Sequence, residues 1–174
     1  MSPSPASRHQ WISGELHARM HAYFRGKRCR LFAAPMDVVL SEEDVVQPDL
    51  LVVCDPRQIR RTHIAGAPTL VVEILSEHST VRDRLLKLNL YARAGVREYW
   101  RVTPWPPMVE VLRLEGGRYV VEGGFGRDQT LAGPAFPRLK IRLKDIFGFP
   151  LEAGEAPPAV RETPPAYRTR RRRS

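Results

Sequence analysis

Residues 70–100 read LVVEILSEHSTVRDRLLKLNLYARAGVREYW, and the hydrophobic pattern changes twice within this stretch. It opens on the continuous apolar run Leu70–Leu75, which is typical of a strand covered on both faces at the centre of an α/β sheet. From Ser79 to Ala94 the apolar residues follow helical spacing, and Gly95 stands where a C-cap glycine ends a helix. The apolar face of this helix is predicted to be a stripe with two flanking leucines: Val81, Leu85, Leu88, Ala92, Leu86 and Leu90. The segment Glu98–Val102 then predicts another strand, so the stretch is a strand, a helix and a strand.

The flanking segments extend this unit in both directions. Upstream, Ser7–Phe24 has apolar residues at helical spacing, and Leu50–Cys54 is a second continuous apolar run. The other predicted strands are short or form a hairpin around Gly116–Gly117: 29–33, 36–40, 109–114, 118–122 and 141–143, the last of which could instead begin a helix. This order predicts a single α/β domain over residues 1–150, in which helices flank a mixed central β-sheet.

Length and composition exclude several classes of protein. The 174 residues are enough for one domain with a sizeable core. No run approaches the about 18 apolar residues of a membrane span, and the first residues lack the apolar stretch of a signal peptide, so we expect a cytoplasmic protein without membrane contact. Cys29 and Cys54 lie far apart and neither has a Cys/His neighbour at zinc-ligand spacing. Neither a disulfide nor a structural zinc is therefore predicted.

The charge of the chain is consistent with a nucleic-acid partner. There are 28 basic and 19 acidic residues, a net charge of +9. Residues 151–174 are predicted to be a disordered basic tail rich in proline and arginine, and its candidate nucleic-acid contacts are Arg170, Arg171, Arg172 and Arg173. The alternative is a solubilising end with non-specific affinity for polyanions. Trp100 and Trp105 could stack on bases, although packing at the end of a strand is the favoured interpretation.

Two carboxylates are placed where a metal site could form. Asp49 enters the strand Leu50–Cys54, and Glu73 lies inside the apolar run Leu70–Leu75. A carboxylate in such a strand is costly unless it is paired or binds a cation. Carboxylates on neighbouring strands supply the hard oxygen ligands that Mg²⁺ prefers. The alternatives are a strand-start role for Asp49 and a buried ion pair for Glu73.

The predicted helix carries a second group of candidate site residues, with Asp83 and Tyr91 as accessories to Lys87. Asp83, Lys87 and Tyr91 follow one another at i,i+4 spacing on a face that differs from the leucine stripe. Such an Asp–Lys pair is also a routine feature of an exposed helix. Because a short connection joins the helix to the strand of Glu73, Lys87 could fold back towards the carboxylates, where its charge would pair Glu73 or activate a water.

Taken together, these residues resemble the Uma-two family of restriction-endonuclease-like proteins, within the PD-(D/E)XK nuclease superfamily. The pieces that carry the resemblance are PDLLVV at 48–53, VVEILS at 71–76, Thr80, Asp83, Lys87 and Tyr91, and YARAGVREYW at 91–100 before Pro104. The resemblance runs from about His9 to about Phe147 and implies the restriction-endonuclease-like fold.

The resemblance further implies an endonuclease that hydrolyses DNA, expected to be double-stranded, with Mg²⁺ or Mn²⁺ as cofactor and with a homodimer as one arrangement. Asp49 and Glu73 would hold the metal. Leu75 occupies the lysine position of the Glu-x-Lys pattern, and Lys87 is the natural substitute that orients or deprotonates the attacking water. The rival hypothesis is a catalytically inactive DNA-binding or interaction domain that retains the nuclease fold.

One further acid is a candidate for the site. Typical members of the family carry a segment resembling Glu-Leu-Ile-Asp-Gly before the first helix, and residues 1–8 do not match it. Glu15, in the first predicted helix, could replace an acid from that segment. It could equally pair with Arg19 at i,i+4, which is the simpler interpretation.

Overall fold

The computed structural model describes residues 7–76 and 80–149. In this part of the chain the helices are α1 (Ser7–Phe24), α2 (Val81–Ala94) and α3 (Leu143–Ile146), with a 3-10 turn at Pro56–Gln58. The strands, in chain order, are β1 (Arg30–Ala33), β2 (Val38–Val39), β3 (Val45–Val46), β4 (Leu50–Val53), β5 (Ile64–Ala65), β6 (Leu70–Ile74), β7 (Glu98–Thr103), β8 (Met108–Glu115), β9 (Arg118–Gly126), β10 (Thr130–Leu131) and β11 (Ile141–Arg142). The two long predicted helices and the two predicted central strands are confirmed.

The main sheet has six strands in the order β1-β4-β6-β7-β8-β9. The pair β6/β7 is parallel, and the other neighbouring pairs of this sheet are antiparallel. The parallel pair is joined through α2, as a parallel connection requires a crossover. Every residue of β4 and β6 is buried, which agrees with their continuous apolar sequences. The predicted α/β fold with a mixed central sheet is therefore confirmed.

The two faces of the sheet have separate cores. Alternate strand residues point to opposite faces, so Leu50 and Val52 pack with α1, whereas Leu51 and Val53 pack on the side of α2. The α1 side also receives α3, through Leu143 and Ile146, and the α2 side receives the small sheet β3-β2-β5. Because of this alternation, the position of a polar residue along its strand decides from which face of the sheet its side chain projects.

The prediction of which face α2 buries is wrong for the first turns of the helix and holds in part further on, where Leu88 packs against the core. Val81, Leu85 and Leu86 are 67%, 53% and 58% exposed, although their spacing predicted an apolar stripe against the core. The buried residue of α2 is instead Tyr91. The helix turns this face to the sheet because the Tyr91 hydroxyl donates a hydrogen bond to the carboxylate of Glu73. Leaving a buried carboxylate without donors costs more free energy than leaving leucines half exposed.

The prediction that excluded a disulfide is also wrong. Cys29 and Cys54 form a disulfide, with their Cα atoms 4.0 Å apart. In the antiparallel pair β1/β4, Arg30 lies opposite Val53, and the two cysteines are the next residues along these strands. The separation of 25 residues along the chain gave no sign of this contact. The contact arises because antiparallel pairing brings the start of one strand beside the end of the other. The cytoplasmic location stays a prediction, now without support from the cysteine pattern, since disulfides are rare in reducing compartments.

Some predictions fall outside the described residues. The basic tail 151–174, with Arg170–Arg173, is one of these. The extent of the domain, residues 1–150, also stays a prediction. Within 7–76 and 80–149, no helix is both long enough and apolar enough to cross a bilayer.

Candidate active site

The pairing of β4 with β6 brings the two predicted carboxylates together. Leu50 lies opposite Val72 in this antiparallel pair, so the preceding residue, Asp49, continues the register opposite Glu73. Directly opposed residues of an antiparallel pair project from the same face. The backbone N–H of Ile74 donates a hydrogen bond of 2.7 Å to Asp49 Oδ2, which fixes the Asp49 side chain at the end of β6.

Glu73 receives two hydrogen bonds from α2. Its side chain is only 7% exposed. Lys87 Nζ donates to Oε2 at 2.7 Å, and the Tyr91 hydroxyl donates to Oε1 at 2.6 Å. Burial raises the pKa of the Glu73 carboxyl, and the Lys87 and Tyr91 contacts oppose that rise. Lys87 is 46% exposed, so its ammonium stands where the buried carboxylate meets solvent.

The ends of α2 position these two donors. Thr80 is the N-cap, and its hydroxyl accepts from the backbone N–H of Asp83 at 3.1 Å. The Asp83 carboxylate accepts in turn from the Thr80 backbone N–H at 3.2 Å, which completes a capping box. Gly95, with φ of 87°, ends the helix in the left-handed conformation that its position favours. The Thr80 hydrogen bonds lower the pKa of Asp83. Helix capping thus accounts for Asp83, which was predicted as an accessory site residue.

A second cation lies beside Glu73 but is engaged elsewhere. Arg101 of β7 is the register partner of Glu73 in the parallel pair. Its guanidinium forms an ion pair with Glu110 of β8, at 2.7 Å between Nη2 and Oε2. Of these two cations, Lys87 is the one that pairs with Glu73.

The sequence analysis did not identify His9 as a residue of this site. His9 lies on α1, and its Nε2 is 3.3 Å from Asp49 Oδ1. The hydrogen bond with Asp49 raises the pKa of the imidazole. Its other nitrogen, Nδ1, is buried and has no hydrogen-bond partner among the described residues. No local signal marks His9, because the residue that it contacts lies far along the chain.

The convergent residues line one concave site of about 280 Å³. Its wall includes His9, Asp49, Glu73, Asp83, Lys87 and Tyr99. Glu15 is not part of this wall. It pairs with Arg19 on α1, as the simpler interpretation of its spacing predicted.

The donor set fits a hard divalent cation with few protein ligands. Within the described residues there is no group of three or more His, Cys, Asp or Glu side chains arranged to hold a metal ion. Mg²⁺ commonly uses only one or two carboxylates and completes its shell with water and substrate phosphate. Asp49 and Glu73, on one face of the sheet at the wall of a concave site, meet that requirement.

Comparison with known proteins assigns the chain to a family. The family model Uma2, described as "Putative restriction endonuclease", matches residues 1–144. The chain belongs to the Uma2 family. The description of this family names an endonuclease activity.

Two individual proteins are similar to this Uma2 chain. One is a crystal structure described as a "putative nuclease belonging to DUF820" from Anabaena variabilis, with a TM-score of 0.69 and 23% identity over 84% of this chain and 83% of that one. This similarity supports the fold. The other is the uncharacterized protein slr1290 of Synechocystis sp., 32% identical over 85 residues, which are 48% of this chain and 45% of that protein. The matched segment thus spans about half the length of that relative.

Proposed function

We propose that this Uma2 protein is a Mg²⁺- or Mn²⁺-dependent endonuclease that hydrolyses phosphodiester bonds of DNA. The observation that carries the proposal is the convergence of Asp49, Glu73 and Lys87 on one concave site at the end of two buried strands. Two carboxylates and one ammonium supply what phosphodiester hydrolysis needs, namely ligands for a cation and positive charge for the phosphate.

Each residue has a distinct role in this proposal. Asp49 and Glu73 would hold the cation, which when bound supplies Lewis acidity to the scissile phosphate and to the attacking water. The ammonium of Lys87, at the solvent side of Glu73, would orient the water and offset charge that develops on the phosphate. Tyr91 and His9 contact one carboxylate each and would hold these groups in a single orientation.

The substrate proposed here is double-stranded DNA. The net charge of +9 favours association with a polyanion, and Arg170, Arg171, Arg172 and Arg173 would add contacts to phosphates that are independent of base sequence. Restriction endonucleases, the class named in the family description, act on DNA.

The test is a plasmid-nicking assay with three nearly isosteric variants. Asp49→Asn, Glu73→Gln and Lys87→Met should each lower the nicking rate by at least about 100-fold, since the first two remove a charged ligand of the proposed cation and the third removes the ammonium that offsets charge on the phosphate. Exposed residues of the same types provide matched controls: Asp128→Asn, Glu122→Gln and Lys144→Met. Circular dichroism checks that each variant is folded. Wild-type nicking by Glu73→Gln, with protein free of contaminating nucleases, would contradict the proposal.

The rival is a nuclease-like domain that binds DNA without cleaving it. One observation favours it: both oxygens of Glu73 already accept hydrogen bonds, from Lys87 and Tyr91. On that hypothesis the Glu73–Lys87 pair only stabilises the packing of α2. Retained DNA binding together with no metal-dependent nicking by the wild type would identify this alternative.

A further inference from the structure

The inference concerns the surface that continues from the proposed active site. Its central residue is Trp105, in the turn between β7 and β8, which is 42% exposed. The other candidate for base stacking, Trp100, is 1% exposed, and its indole N–H donates to Glu98 inside the core. Trp105 is thus the one of these two tryptophans whose ring is available to a ligand.

Trp105 belongs to a groove that opens from the active site. The concave site of Glu73 and Lys87 shares His9, Leu75, Ser76 and Arg84 with a neighbouring concavity of about 290 Å³. Trp105 lines this second concavity and also a third one, of about 250 Å³, whose wall reaches Arg127. Each concavity shares wall residues with the next, and we call the surface that the three form together the Trp105 groove.

Outside the active site, whose wall carries Asp49, Glu73 and Asp83, the groove combines an aromatic surface with positive charge. Lys87 lies at the active-site end and Arg127, an exposed residue, at the far end. Arg8 and Arg84 also contribute to its walls. A side chain that stacks on bases, placed between cations that attract phosphates, is the combination by which proteins bind single-stranded nucleic acid. An uncharged apolar ligand would not account for the basic residues along the path.

We propose that Trp105 is a stacking platform for an unpaired base of the strand whose phosphate occupies the active site. This inference rests on the proposed function and narrows its substrate from DNA duplexes in general to those that contain unpaired nucleotides. A base within an intact duplex has both faces covered by its neighbours, so only an unpaired, frayed or extruded base can offer a face to the indole.

The test measures binding in EDTA, where a metal-dependent nuclease does not cleave. The probes are three fluorescein-labelled DNAs of equal length: a matched duplex, the same duplex with a two-nucleotide bubble, and the single strand. The wild type should bind the bubble and the single strand more tightly than the matched duplex. Trp105→Ala should weaken binding of those two probes by about 5- to 150-fold, equivalent to about 1–3 kcal/mol per stacked base, and leave the matched duplex nearly unchanged.

Trp11 provides a matched control on the same protein. It is 41% exposed and packs edge-to-face on Phe149, at 6.0 Å between ring centroids, and it does not line the three concavities. Because its partner Phe149 lines two of these concavities, the control variant is Trp11→Phe, which keeps an aromatic ring against Phe149 and should leave the preference for the bubble intact. Trp105→Phe should retain part of that preference because a phenyl ring still stacks. In a Trp11→Phe background, the bubble should quench tryptophan emission more than the matched duplex does.

The outcomes separate this inference from the proposed function. Equal loss on all three probes, or no loss, in a folded Trp105→Ala protein would overturn the stacking role, whatever the nicking assay shows. A fourth probe, single-stranded RNA of the same sequence, tests the assignment to DNA, which tighter binding of this RNA than of the single-stranded DNA would overturn. Selective loss on unpaired probes without any metal-dependent nicking by the wild type would leave the stacking site standing and refute the nuclease.

Discussion

Glu73 shows how a charged residue in a buried strand indicates a functional site. A carboxylate within a strand that is buried on both faces requires donors, and the helix that follows supplies Lys87 and Tyr91 four residues apart. The sequence indicated that Glu73 needs a partner and that Lys87 could reach it. It did not exclude Arg101, the cation on the neighbouring strand, whose pairing with Glu110 depends on the register of β7 and β8.

A prediction at this scale concerns His9. His9→Ala should weaken metal binding or nicking by about 10- to 100-fold, as removal of a residue that orients a metal ligand typically does. The protein should stay folded, because the substitution also removes the buried Nδ1, which has no hydrogen-bond partner among the described residues. The measurements are the nicking rate and the Mn²⁺ concentration that produces half of the thermal stabilisation. His21→Ala, an exposed histidine of the same helix, is the control. If the nicking rate and the Mn²⁺ concentration are both unchanged in His9→Ala, His9 does not position Asp49.

At the scale of elements, strand pairing decides which distant residues meet. The pair β1/β4 joins Cys29 to Cys54, and the pair β4/β6 sets Asp49 opposite Glu73. Helix packing follows the same principle. α2 leaves Leu85 half exposed because its other face satisfies a buried carboxylate.

The disulfide yields a prediction about the link between β1 and β4. It closes a loop with a sequence separation of 25, and the chain-entropy relation gives about 3.5 kcal/mol of stabilisation for a loop of this length. Cys29→Ser combined with Cys54→Ser, or reduction of the wild type, should lower the free energy of unfolding by about this amount. Denaturant titrations with and without reductant measure the change. A wild-type midpoint that reductant does not shift would mean that the bond is absent in solution.

At the scale of the whole molecule, the stability of the fold and the binding of metal should be coupled. Burial raises the pKa of the Glu73 carboxyl, and the charge of Asp49 adds a smaller rise, which is the repulsion between the two carboxylates when both are charged. A cation that binds the native state alone relieves this repulsion and stabilises the fold, by about 2.7 kcal/mol at a concentration 100 times its dissociation constant.

The corresponding prediction is a thermal shift. Millimolar Mg²⁺ or Mn²⁺ should raise the melting temperature of the wild type and of Asp128→Asn, and should not raise that of Asp49→Asn. Differential scanning fluorimetry at constant ionic strength measures the three proteins. An equal response of all three would place the ion away from Asp49.

The sequence alone determined the α/β fold, the buried strands, the α2 helix with its C-cap, and three convergent residues, Asp49, Glu73 and Lys87. These predictions succeeded because hydrophobic spacing reports burial within an element, and because a charge in a buried strand requires a partner.

Only the tertiary structure decided the contact of His9 with Asp49, the Cys29–Cys54 bond, the buried face of α2, and the exposure of Trp105 beside the active site. Each of these depends on strand register or on the packing of elements that are distant in the chain. A local pattern carries no information on such pairings, because their free energy depends on groups from several elements at once.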